Sequence, residues 1–334
     1  TGSTSQTWNW SAATDNLSGI LGYWYRVPEA GISSTSIGNV LTWPTSFSQG
    51  IYNFYVLAED KVGNQGLESS GSVTVDTTAP TSAALSINSG AAYTNSTSVN
   101  LGISATDNLL EVTEMNIANE SSYAGWGSYA ASKTWNFAPG TADGIKTVRA
   151  KFKDAVGNAN TSWLAKDDII LDRAAPVISG VSINNLTTSN NTYVRNGDTV
   201  NLTATITDAN QVDIITSMIT ADLAGLGGGA LVNPTSYDNP TGLATWSAIT
   251  ISGTANSLVT VTVNVNDLAG NSAVSATDSI RADNTAPSSL PTSPATGYYN
   301  TATWPGKITG TAADSISGVN HVDLSVFDGL GFWN

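Results

Sequence analysis

The chain reads as all-β, a tandem string of sandwich modules, and three observations carry that prediction. A turn-and-linker pair recurs at a fixed interval, the stretches before it alternate apolar with polar residues, and Gly, Asn, Asp and Pro punctuate the breaks. The pair is Asp60-Lys-Val-Gly63-Asn64 with Asp76-Thr-Thr-Ala-Pro80, then Asp154-Ala-Val-Gly157-Asn158 with Asp172-Arg-Ala-Ala-Pro176, then Asp267-Leu-Ala-Gly270-Asn271 with Asp283-Asn-Thr-Ala-Pro287. A period of roughly 100 residues is too long for a solenoid unit and about right for one self-contained β-sandwich.

The strand entering each turn is the clearest element. Val259, Val261, Val263 and Val265 alternate with Thr260, Thr262, Asn264 and Asn266 ahead of Asp267, which is the period of a half-buried strand. Val148, Ala150 and Phe152 before Asp154, and Phe54, Val56 and Ala58 before Asp60, keep the same phase. A second strand ends at another aspartate: Val99 to Ala105 before Asp107, Val200 to Ile206 before Asp208, and Ile308 to Ala312 before Asp314. In the first module Trp8, Trp10 and Ala12 run one residue out of phase with Asp15, and a bulge is expected to restore the pairing. A third strand follows each of these aspartates, over Leu21 to Val27, Val112 to Ile117, Val212 to Ile219 and Val319 to Val326.

The Ala-Pro junctions set the boundaries, because proline after a polar run suits an extended linker leading into an edge strand. They give a first module over 1–78 that lacks its first strand, a second over 79–174, a third over 175–285 and the first strands of a further module over 286–334. The third is longer, and Ala221 to Gly229 is expected to be a loop; without a following Gly-Lys-Ser/Thr it is no phosphate cradle. The open ends imply either a segment of a longer chain or a subunit whose missing strand is donated by the next copy, which would propagate a head-to-tail filament.

Composition narrows the function. Of 334 residues only 11% are charged, so Thr, Ser and Asn dress the surface, as suits secreted β-structure. A net charge of -14 repels a phosphate backbone, which argues against nucleic acid and for a divalent cation. The absence of cysteine excludes disulfides, thiolate metal sites and cysteine nucleophiles. No apolar run reaches the roughly 20 residues of a membrane helix, so no membrane insertion is expected in this segment. The one histidine, His321, alternates with Val322 and Leu324 as a surface residue, and all three larger modules lack the histidine of a nucleophilic triad. The carboxylates recur at turns module by module, a pattern of scaffold and not of one glycosidase site. No enzyme is expected here.

With strands and turns placed, the modules resemble the tandem immunoglobulin-like domains of large bacterial and archaeal cell-surface proteins, among them adhesin stalks, surface-layer-associated proteins and filaments. The carrying residues are Asp107-Asn108, Asp154-Ala-Val-Gly-Asn158 and Asp172-Arg-Ala-Ala-Pro176 with their equivalents, joined by Tyr93 to Leu101 and Glu114 to Asn119. The resemblance covers essentially the whole chain and implies a scaffold more than an activity. It implies tandem immunoglobulin-like β-sandwiches arranged as an elongated rod, with modules of some 30–40 Å from strands of eight to ten residues at about 3.3 Å each. Its partners would be other copies of itself or neighbouring surface proteins, at an extracellular location. Asp283-Asn-Thr-Ala-Pro287 is also similar to the calcium-binding linkers of cadherins.

Three kinds of site follow. Each Asp-x-x-Gly-Asn turn has a structural role, in which Asp accepts its backbone N–H groups and Gly supplies a positive φ. The alternative is calcium, with oxygen ligands drawn from Asp15, Asp60, Asn64, Asp107, Asp154, Asn158, Asp208, Asp267, Asn271 and Asp314, and with the adjoining linker aspartate placed to add a ligand and stiffen the joint. Tyr23-Trp24-Tyr25 puts rings on both faces of one strand, so these aromatics either build a core or stack on a glycan, the latter making the region a carbohydrate-binding accessory of a secreted glycan-degrading enzyme. Sequons at Asn95, Asn119, Asn160, Asn185, Asn190 and Asn201 are candidate N-glycosylation positions if the source glycosylates.

Overall fold

The computed structural model describes residues 4–119, 122–123, 125–209, 214–295, 297–327 and 332–333. The chain divides into two compact units, Thr1–Leu171 and Asp172–Asn334, and each is all-β.

The second unit contains the fullest sandwich. One sheet runs in the order Val177–Asn185, Thr199–Thr207, Leu243–Thr250 and Ser236–Asp238; the other runs Tyr193–Val194, Ala276–Ala282, Leu258–Val265 and Ile219–Asp222. This is the two-sheet order of an immunoglobulin-like domain, with the short Tyr193–Val194 pairing parallel to Ala276–Ala282. The sequence dictates the core by alternation: Val261, Val263 and Val265 meet Val200, Leu202 and Ile206 between the sheets, and Trp246 is sealed among them with its indole N–H donating to Val232 O at 2.8 Å.

The first unit holds two modules with separate cores. In one, Ser132–Asn136, Ser98–Thr106 and Ser82–Ile87 form a sheet that faces Val112–Asn119, Gly144–Asp154, Ala165–Leu171 and Tyr93–Thr94. Its core is Val99, Leu101, Ile103, Met115, Ile117, Val148, Ala150 and Phe152. In the other, Ser5–Asn9 pairs with Thr42–Ser46 against the sheet Ile32–Gly38, Ile20–Val27, Gly50–Asp60 and Ser69–Val75. Its core is aromatic, built around Phe54, which Trp8 stacks on at 4.6 Å and Trp43 at 6.0 Å.

Several expectations need correction. No bulge follows Trp8; the strand stops at Asn9, and the Ala13 N–H is taken by the Tyr23 hydroxyl at 2.8 Å, which replaces a ladder bond. The strand expected from Val212 begins instead at Ile219, after a 3-10 turn over Thr216–Met218; Val212 itself lies outside the described residues. Residues 319–325 are not a strand, since no neighbouring strand is paired with them among the described residues to take their N–H and C=O groups. The 221–229 stretch is partly ordered: Ile219–Asp222 is strand, Ala224–Leu226 a 3-10 turn, and Gly227 sits at φ +88° where a Cβ would lie 2.4 Å from Ser252 O.

Candidate cation site at a module joint

The Asp-x-x-Gly-Asn turn builds the same local structure in all three copies. Asp154 Oδ1 accepts the N–H groups of Val156, Gly157 and Asn158 at 2.7–2.9 Å, and Gly157 takes φ +97°. Asp60 Oδ1 likewise accepts from Val62 and Asn64, and Asp267 Oδ1 from Asn271. The asparagine closes the loop on its aspartate: Asn158 Nδ2 donates to Asp154 Oδ2 at 2.6 Å, Asn64 to Asp60 at 2.8 Å, and Asn271 to Asp267 at 2.7 Å.

In the later two copies the asparagine does more. Asn158 Nδ2 also donates to the backbone carbonyl of Asp76 at 3.0 Å, and Asn160 Nδ2 to Pro80 O at 2.8 Å. Those bonds pin the first module's linker onto the second module's turn. Within the second unit Asn271 Nδ2 donates to Asp172 O at 3.0 Å in the same way.

The pinning draws three carboxylates together. Asp76, Asp107 and Asp154 each present an oxygen within 4.8 Å of the others. Asp76 and Asp154 are sealed, at 0% and 1% exposure, and Asp107 is half-buried. Asp76 Oδ1 accepts the N–H and hydroxyl of Thr78, and Asp107 Oδ1 accepts from Leu109 and Leu110. Their second oxygens, Asp76 Oδ2 and Asp107 Oδ2, are buried and accept nothing. Two carboxylates 4.8 Å apart repel by about 3.5 kcal/mol at an effective dielectric near 20, and no Lys or Arg pairs with any of the three among the described residues.

The other residues considered as ligands fall into different settings. Asp15 Oδ2 is filled by Ser18 N, Ser18 Oγ and Gly19 N, and the Ser18 hydroxyl bond leads the effects that hold its carboxyl below the usual range. Asp60 is lowered to about 2, chiefly by the side-chain amide of Asn64. Asp314 Oδ1 accepts from Ile316, Ser317 and Gly318. Asp208 and Asp267 do not close into a three-carboxylate group with Asp172 among the described residues, although Asp172 Oδ2 is buried without a partner. Of the expected ligands the fold gathers Asp107 and Asp154 together with the adjoining linker aspartate, Asp76, and it uses the amide nitrogens of Asn64, Asn158 and Asn271 as cross-links. The recurrence of Asp before each Ala-Pro junction was the signal for Asp76.

The aromatic and sequon readings are corrected in part. Tyr23 is 3% exposed, and Tyr25 packs 4.2 Å from Trp43, so both belong to the core because their strand turns that face toward Phe54; Trp24 alone points to the other side. Asn185 is 3% exposed with its amide donating to Tyr193 O and Asp198 Oδ2, and the Asn160 amide is committed to Pro80 O, which leaves neither nitrogen open to a glycan. Asn119 and Asn201 are half-buried, with Oδ1 accepting from Trp135 Nε1 and Ala248 N respectively, whereas Asn95 and Asn190 are exposed. His321 lies exposed, 3.3 Å from Asp323.

No family model matches the chain, and no curated protein sequence matches it. Among solved structures it is similar to a tetra-tandem repeat from the extending region of a large adhesion protein, at 18% identity over 87% of this chain and 73% of that one, with a TM-score of 0.28. It is similar to three N-terminal domains of the highly immunogenic outer capsid protein of bacteriophage RB49, at 12% identity over 85% and 95% of the two chains and a TM-score of 0.41. It is also similar to the FN1–FN3 domains of chicken CNTN1, at 12% identity over 84% and 94% and a TM-score of 0.33. All three scores lie below 0.5, and the fold class rests on the strand order given above.

Proposed function

We propose that this chain is a structural repeat region of an exported cell-surface protein, a stalk, surface-layer or filament segment that holds adhesive or assembling parts in place and performs no catalysis. The observation that carries this reading is the pinned joint: Asn158, on the turn of the second module, hydrogen-bonds the Asp76 carbonyl at the end of the first, and Asn160 fixes the junction itself at Pro80 O. A chain that only needed separate binding domains would gain nothing from fixing their linker, whereas a spacer transmits position only if successive modules are docked. The low charge and the Thr/Ser/Asn surface fit an exported chain. Its partners in this reading are further copies of itself or neighbouring surface proteins.

Two measurements test the proposal. Antibodies raised against the chain should label intact cells of the source organism. In single-molecule pulling, the chain should unfold in discrete steps of about 30 nm, as expected for roughly 100 residues at about 3.5 Å each less the about 4 nm that a folded module already spans. Cells labelled only after lysis, or a featureless extension trace, would overturn it. The carbohydrate-binding alternative now rests on Trp24 alone among its three rings; saturable glycan-array binding abolished by Trp24→Ala would restore it.

A further inference from the structure

We infer that Asp76, Asp107 and Asp154 bind one calcium-type divalent cation, and that this ion locks the first module onto the second. The binding and the bridging stand on the geometry of the cluster, and only the use of that lock in a spacer rests on the reading proposed above.

The first step is the orphaned oxygens. Asp76 is fully buried, yet its Oδ2 has no hydrogen-bond partner, and Asp107 Oδ2 shares that condition in the same cluster. A buried carboxylate oxygen that accepts nothing is costly, and native structures keep few of them. A fold that closes three carboxylates around one point, with no Lys or Arg paired to any of them among the described residues, is missing a positive charge at that point.

The second step is the size of the gap. Calcium binds oxygen at about 2.3–2.6 Å, so oxygens on opposite sides of the ion lie about 4.6–5.2 Å apart. The three ligand oxygens lie within 4.8 Å of one another, which fits around such an ion. The donor set is oxygen only, with neither His nor Cys, which selects a hard cation over zinc or copper. Magnesium keeps several of its waters and demands near-octahedral geometry, and a cluster with two sealed members suits it poorly. Asp107, the half-buried member, also borders an open hollow of about 520 Å³ lined by Asn108, Glu111 and Tyr129, which provides the route in from solvent.

The third step is where the ligands come from. Asp76 ends the first module, while Asp107 and Asp154 end two strands of the second. An ion held by all three therefore bridges the modules, next to the hydrogen bond from Asn158 to Asp76 O. Without the ion the three carboxylates push the linker off the turn that the asparagine holds; with it, attraction replaces repulsion at the same spot.

The test uses the full chain, stripped with a chelator and titrated with calcium by isothermal calorimetry. One saturable site is expected, with a Kd of about 10⁻⁴–10⁻³ M as in other extracellular modules. Asp76→Asn and Asp107→Asn should each weaken it at least tenfold, while Asp15→Asn, outside the cluster, should leave it unchanged. Both substitutions keep the Oδ1 acceptor used by the local turn, so both variants should fold. A melting scan supplies a second readout: in calcium the wild type should melt several degrees above Asp76→Asn, and in chelator the variant should match or exceed the wild type because one repelling charge is gone. No saturable heat up to 10 mM calcium, or binding that survives both substitutions, overturns the site. Binding that obeys the variants but leaves the distance between modules as variable as in chelator overturns the locking and keeps the site. Failure of cell-surface labelling would remove the spacer reading without touching either result.

Discussion

The turns at 60–64 and 154–158 share the pattern Asp-x-Val-Gly-Asn and the same asparagine-to-aspartate closure, with one further N–H, that of Gly157, on Asp154 Oδ1, yet they sit in opposite settings. Asp60 is half-buried, and among the described residues Asn64 bonds its own aspartate alone. Asp154 is sealed, and Asn158 reaches across 82 residues to the linker at Asp76. The local motif is therefore a self-sufficient hairpin, and it becomes a joint only where a preceding linker packs on it. The repeat needs one sequence word for both uses, because the asparagine amide has a second N–H to give.

The comparison can be broken by substitution. Asp154→Ala leaves the N–H groups of Val156, Gly157 and Asn158 without their acceptor in a buried setting, and should cost about 3 kcal/mol in chemical denaturation of the first unit. Asp60→Ala should cost clearly less, because solvent reaches its turn; equal costs would mean that the linker adds nothing to the turn. Asn158→Ala loses two acceptors and should destabilise by about 2 kcal/mol, against about 0.5 kcal/mol for Asn64→Ala, which loses one at the surface. Gly157→Ala and Gly63→Ala should each cost about 1 kcal/mol and agree with each other, since φ is +97° and +90° and no atom crowds either position. A large difference between the two would show that the hairpins are not the same object.

The pH dependence sharpens the same contrast. Asp60 is lowered from 3.8 to about 2, with the Asn64 amide as its main cause. A carboxyl whose folded pKa lies below its unfolded value adds stability that is complete above about pH 4 and lost as the pH falls toward 2. Nuclear magnetic resonance titration should find the Asp60 midpoint near 2 and Asn64→Ala should return it toward 3.8; an ordinary midpoint in the wild type would contradict the hydrogen-bond geometry.

Much of this architecture was legible in the sequence, and the failures have physical causes. The Val259–Val265 alternation fixed a strand and its inner face without reference to anything else, because period two survives any arrangement of neighbours. Tyr23-Trp24-Tyr25 could not be oriented that way: both faces carry rings, and only packing on Phe54 decides which is inside. The strand expected over 319–326 had the right alternation, yet among the described residues 319–325 join no ladder and only Val326 is paired, with Trp333. Asp154 and Asp107 were marked by their place at strand ends, but Asp76 becomes buried only when its linker folds onto a turn 82 residues away, a tertiary event that no local pattern records. The sequons at Asn160 and Asn185 fail for the same reason, since both residues spend their amides on contacts that the triplet does not encode.

The most direct measurement is the distance distribution across the joint. The chain has no cysteine, so Ser34→Cys on Ile32–Gly38 and Lys133→Cys on Ser132–Asn136 place one spin label on each module at exposed positions. Double electron–electron resonance in calcium should give a single narrow distribution that broadens in chelator and broadens further with Asn158→Ala. A broad distribution in calcium, or a narrow one indifferent to both changes, would contradict a joint held by the asparagine and the aspartate cluster.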